Sequence, residues 1–150
     1  MTVLAEPQTV AVGAPAPRSD TPTAADFDLA EISSDTDPDP AFYQLSVAEA
    51  VSSGSPSVIV FATPKFCQTA ICGPTLDTIK EIAPEFSGVN FVHVEVYTNL
   101  DDPANIQPVP AVVEWGLPSE PWIFVVDAAG NVAARFEGLA GADELRTALG

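Results

Sequence analysis

The chain holds two cysteines, Cys67 and Cys72, which lie between the pattern of a buried strand and the start of a helix. The strand pattern covers residues 57–63, and the helix is expected to open at Gly73-Pro74, because a proline in the first turn loses no hydrogen bond. A thiol at this place faces the positive end of the helix dipole, which favours the thiolate. Thiolates attack disulfides and bind metals, so this junction is the strongest candidate for chemistry in the sequence.

The cysteine pair has two open interpretations. In the first, Cys67 and Cys72 form a reversible couple, in which one thiolate attacks a partner disulfide and the other resolves the mixed disulfide. In the second, they form a static disulfide, or stay as inert buried thiols. The junction between strand and helix favours the redox interpretation, provided that the two Cα atoms lie about 4.4–6.8 Å apart.

Composition limits the classes of partner. The 150 residues include 21 acidic and 5 basic side chains, for a formal net charge of −16, which argues against nucleic acid or an anionic membrane as a partner. We expect a monomer with a solvated acidic surface. No apolar run reaches the roughly 18 residues of a membrane span, and no signal-peptide pattern is visible at the N-terminus.

Proline and acidic residues divide the chain. Residues 1–25 are rich in Pro, Ala and Thr without a helical or alternating period, which predicts a flexible tether ahead of a domain at 26–150. Phe27, Leu29 and Ile32 are expected in a short edge strand or loosely packed on the core. The acidic stretch at 33–40 is interpreted as a surface loop.

The rest of the chain alternates between helical and strand patterns. The expected elements are a helix at 46–53, a strand at 57–63, a helix at 74–83, a strand at 89–97, a short helix at 110–116, a hairpin of strands at 121–127 and 132–136, and a helix at 142–149. Strands separated by helices favour parallel pairing, whereas the hairpin adds antiparallel strands. The sequence therefore predicts an α/β fold with a mixed sheet.

Three local patterns point to a known family. They are Phe61-Ala62-Thr63-Pro64, the run Cys72-Gly73-Pro74 that follows Cys67, and a proline-led strand and hairpin over residues 119–130. Together they resemble the thioredoxin superfamily, most closely its secreted or membrane-tethered branch, over roughly residues 45–150. The resemblance implies a thioredoxin-like three-layer fold, with a mixed central sheet, a C-terminal β-hairpin and flanking helices.

The resemblance also implies a substrate groove. Pro121 would be the family's cis-proline, whose loop lies against the cysteines, and Glu120 would sit beside them. A carboxylate at Glu120 would disfavour the thiolate, although a solvated loop acid is the simpler interpretation. The chain departs from the family in two ways: the spacing is Cys-x-x-x-x-Cys, and Val60 stands where thioredoxins carry a buried acid.

The implied activity is a thiol–disulfide oxidoreductase that acts on protein thiols or disulfides through Cys67 and Cys72, without a cofactor or metal. One alternative is a redox-silent interaction domain with a structural disulfide. A second is copper binding through both cysteines and His93, the only histidine, although a packed histidine is favoured at this strand position. The leader and the resemblance imply an extracytoplasmic protein, with any anchor in a missing N-terminal segment.

Overall fold

The computed structural model describes residues 9–66, 71–100, 102–117, 121–138 and 141–149. Four strands form the central sheet, in the order β2-β1-β5-β6. They are β1 (Ser57–Ala62), β2 (Asn90–Glu95), β5 (Trp122–Val126) and β6 (Val132–Glu137), and a small second sheet pairs β3 (Tyr97–Thr98) with β4 (Gln107–Pro108). The helices are α1 (Leu29–Ile32), α2 (Val47–Val51), α3 (Cys72–Ile82), α4 (Pro110–Glu114) and α5 (Ala142–Leu149).

The predicted mixed sheet is confirmed. Strand β1 pairs in parallel with β2 and antiparallel with β5, and β5 continues into β6 as a hairpin. The hairpin turn is closed by Asp127, whose side chain accepts hydrogen bonds from the backbone of Ala129 and Asn131, both at 3.0 Å. Gly130 has a φ of +89° in this turn, a conformation that suits glycine.

Apolar side chains fill both sides of the sheet, which gives three layers. Every residue of β1 is buried, because helices cover it on both faces. One face packs against α2, α4 and the fully buried Trp115, whereas the other packs against α3 and α5. The fold therefore holds β1 rigidly in the centre of the molecule and directs its end toward the start of α3.

The described part of the predicted tether, which begins at residue 9, contacts the domain. Gly13 and Ala14 exchange backbone hydrogen bonds with Val132, and the indole N–H of Trp115 donates to Ser19 Oγ at 3.1 Å. Ala16 and Ser19 are buried. These contacts place residues 13–19 against the sheet, while the division of the chain at residue 25 stays a prediction.

Several boundaries differ from the prediction. Helix α3 begins at Cys72, two residues early, so that Cys72 belongs to the first turn. The segment around Leu29 forms α1, a helix with an N-terminal capping box of Asp28 and Glu31, and not an edge strand. The expected strand at 89–97 is split, because the carbonyl of Val96 turns to accept the N–H of Val109. Within the described ranges no helix is long and apolar enough to cross a membrane.

Candidate functional site

Cys72 occupies the first position of α3, with Ile71 as the preceding cap residue. Its side chain is fully buried, at 0% exposure, and it takes part in a disulfide. Residues in the first turn have free N–H groups and face the positive end of the dipole, which stabilises a sulfur anion. Cys67 lies outside the described residues, so its role and the geometry of the couple stay predictions.

Two buried hydroxyls flank the start of α3. Thr75 lies one turn after Cys72, and Thr63 directly follows β1. Both side chains are fully buried, and their Oγ1 atoms have no hydrogen bond partner in the described part of the chain. Unpaired buried hydroxyls are costly, and they are common at sites that change state. Each threonine therefore has a buried hydroxyl that no described residue uses.

Pro121 is placed at the same end of the sheet as Cys72. The register pairs Phe61 with Trp122, so that Pro121 lies beside the end of β1. The Pro121 carbonyl accepts the N–H of Gly138 at 2.8 Å, and Gly138 lies near Ile71, the residue before Cys72, since a Cβ at position 138 would lie 3.6 Å from Ile71 Cδ1. The fold thus brings the proline next to the cysteine helix. Glu120 lies outside the described residues, and its role stays a prediction.

His93 is held in a buried chain of hydrogen bonds. Its Nε2 lies 2.8 Å from the carbonyl of Ala62, and its Nδ1 lies 2.7 Å from the hydroxyl of Tyr43. Because a carbonyl can only accept, Nε2 carries the hydrogen, and the Tyr43 hydroxyl donates to Nδ1. That hydroxyl in turn accepts from Ser33 Oγ at 2.9 Å. The result is a neutral histidine with both ring nitrogens in use.

This geometry bears on the copper alternative. Burial lowers the pKa of His93 to about 4, so the ring stays neutral above that pH. A neutral imidazole suits a metal, but neither nitrogen is available without breaking a buried hydrogen bond. In the described ranges no three His, Cys, Asp or Glu side chains come together as metal ligands. The packed interpretation of His93 is therefore the one that the structure supports.

Glu95 is a buried acid that the sequence analysis did not single out. It ends β2, next to Ala62 in register, and only 5% of it is exposed. Its Oε1 accepts from the N–H of Ser34 at 2.7 Å and from the Ser34 hydroxyl at 2.8 Å. Oε2 is buried and has no hydrogen bond in the described structure. Burial raises the pKa of Glu95, although the hydrogen bonds from Ser34 lower it in part.

Glu95 is connected to the segment that leads to Cys67. Ser34 Oγ, which donates to Glu95, also accepts the N–H of Lys65 at 3.0 Å. The Lys65 ammonium lies 3.4 Å from the carbonyl of Leu100. The rings of Phe66 and Tyr97 pack edge to face, with their centroids 6.2 Å apart. Residues 65 and 66 are therefore fixed from the side of β2, by the acidic stretch and by the segment after the strand.

The acidic stretch at 33–40 also reaches α3. The Lys80 ammonium lies 2.7 Å from Asp35 Oδ2 and donates to the carbonyl of Asp37 at 2.9 Å. The carboxylate of Asp35 raises the pKa of Lys80, although burial opposes this. Since Ser33 is also buried, the expected surface loop is a packed element between β2 and α3. It positions the helix that carries Cys72.

Comparison with solved structures identifies the fold. A putative thiol:disulfide interchange protein DsbE from Chlorobium tepidum matches with a TM-score of 0.65 and 16% identity, over 95% of this chain and 100% of that one. DsbF from Mycobacterium tuberculosis matches with a TM-score of 0.54 and 22% identity, over 68% and 83% of the two chains. A secreted disulfide oxidoreductase from Mycobacterium tuberculosis matches with a TM-score of 0.50 and 16% identity, over 70% and 86%.

These structures confirm the predicted fold class. The chain has a thioredoxin-like fold, and the solved structures that share it include a putative thiol:disulfide interchange protein and a disulfide oxidoreductase. No family model and no curated protein matches the sequence. The chemistry of this particular chain therefore has to be argued from its own residues.

The sequence signal for Glu95 and Tyr43 was weak. Glu95 follows His93 by two residues in an alternating strand, so both face the same side of the sheet, which is the side that holds α3. Two polar residues on the buried face of a strand predict a hydrogen-bonded cluster. Their partners Ser33, Ser34 and Tyr43 come from a distant segment, and no local pattern announces that pairing.

The buried histidine predicts a pH dependence of stability. The folded pKa of His93, about 4, lies below its ordinary 6.5, so the unfolded chain binds more protons between these values. The stability that the neutral His93 contributes is fully present above pH 6.5. It is lost as the pH falls toward 4, and the loss is about 3 kcal/mol at most. We expect the difference in unfolding free energy between wild type and His93→Gln to shrink over this range, as measured by urea denaturation at several pH values.

The comparison with His93→Gln is needed because Glu95 acts in the opposite direction. A raised pKa at Glu95 contributes stability at low pH that is lost as the pH rises. Both chains keep Glu95, so this effect cancels in the difference. A constant difference from pH 7 to pH 4 would contradict the buried, neutral histidine.

Proposed function

We propose that this protein is a thiol–disulfide oxidoreductase that exchanges disulfides with protein partners through Cys67 and Cys72. The observation that carries the proposal is the disulfide-bonded Cys72 in the first turn of α3, at the sheet edge where β1 ends. A helix N-terminus lowers the pKa of a thiol and so supports reversible exchange. Among the structures with the same fold, one is described as a putative thiol:disulfide interchange protein and another as a disulfide oxidoreductase.

Burial suggests a division of labour between the two cysteines. A partner protein cannot reach Cys72, because its side chain is fully buried. Attack on an external disulfide requires an accessible sulfur, so we assign the attack to Cys67 and the resolving step to Cys72. The sequence leaves this assignment open, because the run Cys72-Gly73-Pro74 resembles the attacking cysteine of the family, whereas counting back from residues 81–83 places Cys72 at the second cysteine.

The exchange proceeds through a mixed disulfide. The Cys67 thiolate attacks one sulfur of the partner disulfide, forms an S–S bond with it and releases the other partner sulfur as a thiolate. Cys72, after losing its proton, then attacks Cys67 and releases the partner's remaining sulfur. Two electrons pass to the partner, and the Cys67–Cys72 disulfide forms. In the reverse direction the same steps oxidise a partner dithiol.

Pro121 shapes the groove in which the partner lies. It sits between the end of β1 and the loop at Gly138, beside the residue that precedes Cys72. An extended partner segment placed along this edge would run past the cysteines. Glu120, directly before Pro121 in the chain, would disfavour acidic partners there and raise the pKa of a nearby thiol.

Glu95 supplies the charge that tunes the couple. It is buried, one of its oxygens has no hydrogen bond within the described ranges, and it reaches the backbone of Lys65 through the Ser34 hydroxyl. A carboxylate in a medium of low dielectric constant raises the pKa of a nearby thiol and disfavours the thiolate. We assign Glu95 a positioning and electrostatic role, because it acts on the cysteines through Ser34 and through its field and takes no part in the bonds that exchange.

The cellular setting follows from the chemistry. Disulfides persist in oxidising compartments, and one neighbour with this fold is described as secreted, which supports an extracytoplasmic location. The net charge of −16 supports a monomer that does not bind nucleic acid. The proposed partners are therefore protein thiols and disulfides outside the cytoplasm.

A redox-silent interaction domain is the second candidate. It is favoured by the complete burial of Cys72 and by the four residues between the cysteines. In that case the disulfide would link the loop to α3 and would never open. The two candidates share the fold and differ in whether the S–S bond exchanges.

Single cysteine variants separate the roles of the two sulfurs. With Cys72→Ser, the mixed disulfide cannot be resolved, so we expect a covalent complex between Cys67 and a disulfide-containing protein such as insulin. With Cys67→Ser, no complex should form, and both variants should lose insulin reduction by at least about a hundredfold. Non-reducing electrophoresis and a turbidity assay measure the two results. Turnover close to wild type in both variants would eliminate the proposal.

A charge-removing variant tests Glu95. With Glu95→Gln the field on the couple is lost, so we expect the pH midpoint for alkylation of the reduced Cys67 thiol by iodoacetamide to fall by the order of one pKa unit. Glu114→Gln removes an equal charge from an exposed position on α4 and should leave the midpoint unchanged. Equal midpoints in wild type and Glu95→Gln would show that Glu95 has no influence on the thiol.

A further inference from the structure

A cavity of about 510 Å³ opens at the free edge of β2. Its walls come from residues 20–22, from α1, from the end of β2, and from residues 97–100 and 109–111. A volume of this size falls in the range of ligand and side-chain binding pockets. The cavity lies on the opposite flank of β1 from Pro121, because β2 and β5 pair with opposite edges of that strand.

The cavity borders the segment that leads to Cys67. Tyr97 and Leu100 form part of its wall. The Tyr97 ring contacts Phe66, and the Leu100 carbonyl lies 3.4 Å from the Lys65 ammonium. A molecule seated in the cavity would therefore lie one side chain away from the residues next to the proposed attacking cysteine.

The lining combines apolar surface with negative charge. Ile32, Val94 and Leu100 are buried apolar residues of the wall. Phe27, also in the lining, is 45% exposed, which is unusual for a large aromatic side chain. Asp20 and Glu31 are exposed carboxylates in the same lining, and no lysine or arginine is among the described residues that form it.

We propose that this cavity is a docking site for protein partners, and that it accepts an apolar side chain flanked by lysine or arginine. The apolar wall favours the side chain, and the carboxylates of Asp20 and Glu31 favour the flanking cations. The excess of acid over base in the whole chain attracts the same partners from a distance. The inference rests on the proposed function, since it gives the exchange reaction a preferred class of partner.

Titration of the oxidised full chain with short peptides tests the docking site. The probes are blocked tripeptides with a central leucine, flanked by two lysines, two serines or two glutamates. NMR titration should show shifts of the backbone amides of Ile32, Leu100 and Ala111 with the lysine probe, weaker shifts with the serine probe, and none with the glutamate probe. Ala30→Trp, at an exposed position of the lining, should block the site and abolish the shifts.

A pair of matched variants tests the charge contribution. The double variant Asp20→Asn with Glu31→Gln should weaken binding of the lysine probe by at least about threefold. Glu81→Gln with Glu114→Gln removes the same charge from exposed positions outside the lining and should leave the affinity within a factor of about 1.5 of wild type. Equal loss in both double variants, shifts that survive Ala30→Trp, or no shifts with wild type would overturn the docking site.

The reaction with hydroxyethyl disulfide, which is small and uncharged, keeps the two proposals apart. Wild type and Ala30→Trp should reduce it at the same rate, because it has no group for the cavity. If wild type reduces it and the lysine probe does not bind, the docking site fails alone. If the probe binds and no exchange occurs, the proposed function fails and the cavity serves an interaction domain.

Discussion

Burial of Cys72 at the first residue of α3 is the constraint on which the rest of the structure depends. A sulfur at this place has the helix dipole on one side and the packed sheet on the other, so only its disulfide partner can reach it. This burial requires that β1 has a fixed position in the sheet, and that the N-terminus of α3 has a fixed position relative to β1. The covered β1 and the apolar side of α3 meet both requirements.

A polar network fixes the same corner from the side of β2. The chain from Ser33 through Tyr43 to His93 ends on the carbonyl of Ala62, and the pair of Ser34 and Glu95 ends on the backbone of Lys65. Neutral, fully paired groups such as His93 add rigidity, because each has one hydrogen-bonding arrangement. Glu95 differs, since one of its oxygens has no partner among the described residues and burial raises its pKa. The network therefore combines rigid, fully paired groups with one buried acid whose pKa is raised.

The sequence predicted the layers and the order of elements, because apolar periodicity and turn residues are local signals. The hairpin at Asp127 to Asn131 and the helix of the final segment are examples. It did not predict the packing of residues 33–37, which look like a solvated acidic loop. In the structure, Ser33 is linked to His93 through the Tyr43 hydroxyl, and Ser34 bonds directly to Glu95. The sequence also started α3 too late, since a proline in the first turn does not mark the first residue. Long-range hydrogen bonds between polar residues leave no periodic trace in a sequence, and these are the contacts that build the candidate site.

The reduction potential of the Cys67–Cys72 couple tests the central claim most directly. It is measured by equilibrating the full chain with dithiothreitol buffers of graded ratio and counting free thiols, while circular dichroism follows the fold. An exchanging couple is expected above about −300 mV, with the fold retained in both states. A potential below about −300 mV, or thiols that appear only as the protein unfolds, would show that the disulfide is a structural link and would contradict the proposed chemistry.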